Sequence, residues 1–134
     1  MQKFYIDKLA FIDIQDNRVL STLSKGKDTW YIPGGKREEG ETDKEALIRE
    51  VKEELSVDLI PNSIVHYGTF EAQAHGKPEG TIVRMTCYTG KYNGQLIPAA
   101  EVGEFRYVDY SWKDKSSPVD KLIFDDLKAK ALIQ

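Results

Sequence analysis

The chain is poor in the residues that build metal clusters and disulfides. It holds one cysteine and two histidines. Cys87 alone excludes an internal disulfide, and the scattered His66, His75 and Cys87 supply no ligand set for a structural zinc. In the apolar run Thr81–Thr89, Cys87 reads as a buried strand residue. A basic excess is also missing: 19 Lys+Arg face 22 Asp+Glu, for a net charge of −3. That balance argues against a surface that tracks nucleic-acid phosphates. It leaves room for a small phosphorylated substrate, because a bound cation can supply positive charge locally. No apolar run approaches the ~20 residues of a membrane span, and the opening MQKFYIDK has no apolar leader segment. The expectation is a cytoplasmic protein with no membrane and no nucleic-acid partner. Repeats, low-complexity tracts and linkers are absent, and 134 residues with 40% hydrophobic content suit one domain, 1–134.

What is present is a regular succession of short segments. Residues 3–14 are rich in Phe, Tyr, Ile and Leu and predict a strand. Gln15-Asp16-Asn17 is a turn signal, with a returning strand over Arg18–Leu23. Trp30-Tyr31-Ile32 is a short strand stopped by Pro33-Gly34-Gly35, with Trp30 packing beneath that loop. Thr42 and Glu45 form a capping box opening a helix, on which Leu47, Ile48, Val51 and Leu55 make one arc. Residues 64–74 and 81–90 read as strands around the loop His75–Gly80, and 104–110 as another, after an Asn93-Gly94 turn. Ser117-Pro118 opens a last helix, with Val119, Leu122, Ile123, Leu127 and Ala131 at helical spacing. The order predicts an α/β protein, a mixed β-sheet covered by helices on its faces.

The informative stretch is Gly35–Val57, GKREEGETDKEALIREVKEELSV. Glu50, Glu53 and Glu54 lie three and four residues apart, so they share a helix face beside the apolar arc. Massed carboxylates repel, and a multivalent cation explains them better than water alone. Oxygen ligands of this kind suit Mg²⁺. The plain alternative is a solvated acidic helix face. It would account for Glu53-Glu54 alone, but not for Gly35, Glu41, Arg49 and Glu50 at fixed spacing with them.

That spacing resembles the Nudix box, G-x5-E-x7-R-E-U-x-E-E-x-G-U, where U is a bulky aliphatic residue. Gly35, Glu41, Arg49, Glu50, Val51, Glu53, Glu54 and Val57 fit, and Ser56 stands where the family has glycine. In the left-handed turn that glycine adopts, Ser56 would cost ~1 kcal/mol. The resemblance implies a Nudix-type α/β/α sandwich with a mixed sheet. It implies a hydrolase that cleaves a phosphoanhydride in a nucleoside diphosphate derivative.

Carried over by motif position, Glu50, Glu53, Glu54 and the Gly35 carbonyl are expected to bind Mg²⁺, with Mn²⁺ able to substitute. Glu41 and Arg49 are expected to support the site as a bidentate pair. Glu53, or Glu101 on a later loop near Glu104, is the expected base, with Glu50 and Glu54 completing the catalytic group. Lys36, Arg37 and Arg84 are the candidate phosphate contacts, each also readable as an ordinary solvated charge. His75 is a lesser candidate. Tyr5, Tyr31, Phe70 and Trp112 are candidate stacking residues, packing being the simpler fate of most. The expected substrate is a small NTP or dNTP, including an oxidised one, giving NMP and pyrophosphate. ADP-ribose, another nucleotide sugar and a dinucleoside polyphosphate stay open. So do a silent nucleotide-binding module, a calcium- or partner-binding acidic helix on an unrelated fold, and a homodimer.

Overall fold

Alternation along one strand sets the architecture. In β1 (Phe4–Ile12), Leu9 and Phe11 face one way and Ala10 and Ile12 the other, and all four are buried. A strand buried on both faces needs cover on both. A computed structural model describes residues 2–134 and supplies it. The chain continues through β2 (Ile14–Gln15), β3 (Arg18–Ser24), β4 (Trp30–Tyr31), β5 (Gly34–Gly35), helix α1 (Asp43–Leu55) and β6 (Asp58–Leu59). Then come β7 (Val65–Gln73), β8 (Thr81–Thr89), β9 (Tyr92–Asn93), β10 (Val102–Val108) and helix α2 (Pro118–Ala129).

The main sheet has the order β5-β1-β8-β7 and is mixed: β1 runs parallel to β8, while β5 and β7 are antiparallel to their neighbours. A second, antiparallel sheet has the order β10-β3-β2, with β4 paired to β3. The sequence pattern did not divide the strands between two sheets; the chain passes from β1 to β2 through Asp13. That carboxylate accepts from Tyr107 Oη at 2.6 Å and Tyr92 Oη at 3.1 Å, tying β9 and β10 to the corner.

Leu47, Val51 and Leu55 of α1 pack with Leu9 and Phe11 on one face. Val119, Ile123, Phe124 and Leu127 of α2 pack with Ala10, Ile12, Val83, Met85 and Cys87 on the other. Cys87 is fully buried, which drives its thiol pKa upward. The expected stripe on α2 needs correction. Leu122 is 41% exposed, Ala131 lies beyond the helix with φ 58°, and the inward positions include Phe124 and the wholly buried Asp120. Two short 3₁₀ turns, Pro61–Ser63 and Tyr110–Lys115, also escaped the periodicity. No helix among the described residues is long and apolar enough to cross a membrane.

Candidate active site

The glycine pair brings the box together. Gly34 and Gly35 pair with Ala10 and Leu9 of β1, and α1 packs over the other side. A Cβ on Gly34, whose φ is +150°, would stand 1.9 Å from the Leu9 carbonyl oxygen. A Cβ on Gly35 would stand 2.4 Å from the Glu50 carboxyl carbon. The backbone therefore lies directly against the helix carboxylates, an approach only glycine permits.

The capping box forms as expected: Thr42 Oγ1 accepts from the Glu45 amide at 3.2 Å and Glu45 Oε1 from the Thr42 amide at 2.9 Å. Helix phase then fixes three environments for three glutamates. Glu54 is 8% exposed and accepts from the Gly34 amide at 3.1 Å. Burial first, then the charges of Glu50, Glu101 and Glu53, push its pKa up to about 8, against the pull of that amide. Glu50 is half-buried and also raised, by burial, with Arg49 opposing. Glu53 is exposed, 3.5 Å from Arg49 Nη1.

Arg49 is the hub. Its Nε and Nη2 donate to the two oxygens of Glu41 at 2.8 and 2.9 Å, the bidentate geometry expected. Nη2 also donates to the Lys36 carbonyl at 3.0 Å and Nη1 to Glu50 at 2.9 Å. These bonds hold Glu41 down to about pKa 2, helped by the Glu38 amide. The loop from Lys36 to Glu41 is thus fastened to α1 from within.

Ser56 adopts the left-handed turn with φ 67°. Its hydroxyl donates to the Ile97 carbonyl at 3.0 Å, so the strain is offset by a bond that glycine lacks. Ile97 and Ala99 amides donate to the Leu55 and Glu54 carbonyls, each at 2.9 Å, satisfying the open end of the helix. This docks the loop that carries Glu101, whose charge reaches Glu50 and Glu54. Glu104 instead pairs with Arg106 at 3.3 Å.

The candidate phosphate contacts separate. The Lys36 side chain lines a cavity on the α2 side of the sheet. Arg37 is ion-paired with Asp43, which also accepts from Tyr88 Oη at 2.6 Å. Arg84 is held by Glu71 at 2.9 Å and Asp7 at 3.7 Å and lies over the Tyr5 ring. Both arginines have their charge committed within the protein. Of the aromatics, Phe70 packs on the core and Trp112 meets Trp30 edge-on at 4.9 Å. Tyr31 lines the clefts near the box.

Among the described residues, no three carboxylate, imidazole or thiol groups already converge as a ligand set. Glu50 is turned to Arg49 and Glu54 to Gly34. The donors still suit a hard divalent cation. They are all oxygen, they crowd one another, and a buried carboxylate with a single amide donor gains most from a positive neighbour.

Sequence reasoning missed Lys8, Ser117 and Asp120. Asp120 Oδ2 accepts from the Ile32 amide at 2.8 Å, just before the glycine loop. An aspartate inside the apolar stripe of the last helix was the available signal.

The solved structures with similar folds include the solution structure of the E. coli ORF135 protein, with TM-score 0.74 and 21% identity, covering 95% of this chain and 91% of that one. A MutT protein from Methanosarcina mazei Go1 has TM-score 0.73 and 19% identity, covering 97% of each chain. By sequence, the uncharacterized Nudix hydrolase YvcI of Bacillus subtilis (strain 168) is 28% identical over 106 residues, 78% of this chain and 67% of that protein. The 8-oxo-dGDP phosphatase NUDT18 of Homo sapiens is 38% identical over 63 residues, 46% of this chain; the match spans only 20% of that protein. The family model described as NUDIX domain matches residues 9–126. The chain therefore belongs to the NUDIX family, whose reaction class is hydrolysis of a phosphoanhydride bond in a nucleotide derivative.

Proposed function

We propose that the chain is a Mg²⁺-dependent nucleotide pyrophosphohydrolase, with Mn²⁺ able to substitute. Its proposed substrate is a small nucleoside di- or triphosphate derivative. The observation that carries the reading is the contact between Gly35 and Glu50 beside the buried Glu54. It lays the Gly35 backbone against the Glu50 carboxylate where a Cβ would not fit, while the Gly34 amide holds Glu54. Glu50, Glu53, Glu54 and the Gly35 carbonyl are the proposed ligands. A divalent cation, when bound, neutralises phosphate oxygens and polarises phosphorus. Arg49 and Glu41 fix the loop, and Gly34 orients Glu54. Water attacks a phosphorus, the anhydride P–O bond breaks, and the water proton passes to Glu53 or Glu101. An NTP or dNTP, oxidised ones included, is the leading substrate. The similarity to NUDT18, named an 8-oxo-dGDP phosphatase, supports testing the oxidised diphosphate too.

The test is a phosphate-release screen across NTPs, dNTPs, their 8-oxo forms, ADP-ribose and dinucleoside polyphosphates, with Mg²⁺ or Mn²⁺. Wild type would run beside Glu53→Gln and Glu101→Gln. The expected result is metal-dependent release of a nucleoside monophosphate, reduced about 100-fold or more in the variant that removes the base. No turnover of any nucleotide by folded, metal-supplied protein would replace this reading with a silent binding module. Near-normal turnover by Arg49→Ala would refute the supporting role given to the Arg49–Glu41 pair.

A further inference from the structure

A cavity of about 100 Å³ lies between the sheet and the start of α2, close to the box. Lys8, Lys36, Lys77 and His75 all line it. Seven other basic side chains of the protein are ion-paired. Among the described residues, Lys8, Lys36 and Lys77 are not. They are also close enough to feel one another. Burial lowers the Lys8 pKa first, and the charges of Lys36 and Lys77 lower it further. Asp120, behind the cavity wall, is the opposing charge. Three unpaired ammonium groups around one concavity focus positive potential there in a chain of net charge −3.

Two further features point the same way. Ser117, the N-cap of α2, lines the cavity at 2% exposure, and its hydroxyl makes no hydrogen bond of good geometry. It lies near enough to Asp120 to oppose the rise in that carboxyl's pKa. The N-terminal end of a 12-residue helix therefore borders the cavity. The loop bearing His75 and Lys77 is also held in shape. Gln73 Nε2 donates to the Lys77 and Pro78 carbonyls at 3.2 and 2.9 Å, while its Oε1 accepts from the Gly80 amide at 3.1 Å.

We infer that this cavity binds a second anionic group of the substrate, a phosphate monoester or a carboxylate on the arm away from the scissile anhydride. The inference rests on the hydrolase reading for its substrate, but the site itself stands without it. Lys8 and Tyr31 also line the adjoining cleft that reaches Gly35 and Glu54, so one ligand can occupy both. Among the substrates left open beside an NTP or dNTP, the site favours a nucleoside diphosphate derivative with a further negative charge at its far end.

The first test uses the full chain without metal, titrated with inorganic phosphate and then with acetate, followed by amide NMR. Saturable shifts at His75, Lys77 and Ser117 are expected, and their loss in Lys77→Gln and Lys8→Met. Lys77 is on an exposed loop, so its variant should fold normally. A response to phosphate alone names a phosphate monoester, and one to acetate alone a carboxylate. Absence of saturable shifts, or their persistence in both variants, overturns the site. The second test compares kcat/KM for 2′-phospho-ADP-ribose against ADP-ribose, and UDP-glucuronate against UDP-glucose. The charged member of a pair should be favoured about tenfold, and Lys77→Gln should erase that preference. Equal rates within both pairs overturn the substrate class and leave the hydrolase reading intact. Normal anion titration with no hydrolysis of these probes or of any nucleotide in the phosphate-release screen sinks the hydrolase reading and leaves the site.

Discussion

The Gly34 amide donates to Glu54 Oε1 at 3.1 Å, so a carboxylate near the end of α1 pins the loop before its start. Glutamine at that position keeps the acceptor and removes an acid whose ionised form is opposed by burial and by Glu50, Glu101 and Glu53. In the metal-free state Glu54→Gln should melt at or above the wild-type temperature. Its metal-dependent turnover should nevertheless fall about 100-fold or more, and added Mg²⁺ should no longer raise its melting point. Calorimetry with and without chelator, beside a rate assay, checks all three outcomes.

The two glycines should fail differently. Alanine at Gly34 meets the Leu9 backbone, which cannot yield, at a φ that strains any side chain. A loss of about 3 kcal/mol or more in unfolding free energy is expected. Alanine at Gly35 meets only the end of the Glu50 side chain, which can swing aside. Gly35→Ala should stay within about 1 kcal/mol of wild type while losing activity. Equal stability of the two variants in urea melts would refute this division.

Ser56 separates strain from bonding. Ser56→Ala keeps the left-handed strain and loses the hydroxyl bond to Ile97, so about 1 kcal/mol of stability should go. Ser56→Gly loses the same bond and relieves a strain of similar size, so its net change should be near zero. Chemical denaturation of both variants tests the ordering.

Asp120 should make stability depend on pH. Burial raises its carboxyl to about pKa 7 in the folded protein, from an ordinary 3.8. A carboxyl raised in this way stabilises the fold fully below its unfolded pKa, and that contribution disappears as pH climbs through 7. Between pH 5 and 8 the wild type should lose on the order of 2–3 kcal/mol from this group. Asp120→Asn, which can still accept from Ile32, should flatten that slope. Thermal melts across the interval decide it.

The box was legible because its chemistry demands fixed spacing. Gly35, Glu41, Arg49 and Glu50 meet in space as their spacing implied. The longer strands were legible from alternation and turn residues, and the helices from their caps. The two-residue strands β5, β6 and β9 were not, because Gly34-Gly35 and Asn93 carry loop and turn signals. Arg37 and Arg84 were not, because the partners that claim them, Asp43 and Glu71, come from other elements. Leu122 was misplaced for a related reason. Helical period gives spacing but not phase, and the sheet chose the face bearing Asp120. The lysine-lined cavity gathers residues from β1, the box loop and the turn after β7, which no local pattern connects.

Cys87 sits towards the end of β8, sealed between the main sheet and α2. A thiol so enclosed, and so reluctant to ionise, is shielded from alkylating reagents while the fold is closed. Its labelling rate therefore times the opening of the sheet–α2 layer, giving the protein a native clock for its own breathing that requires no added probe site.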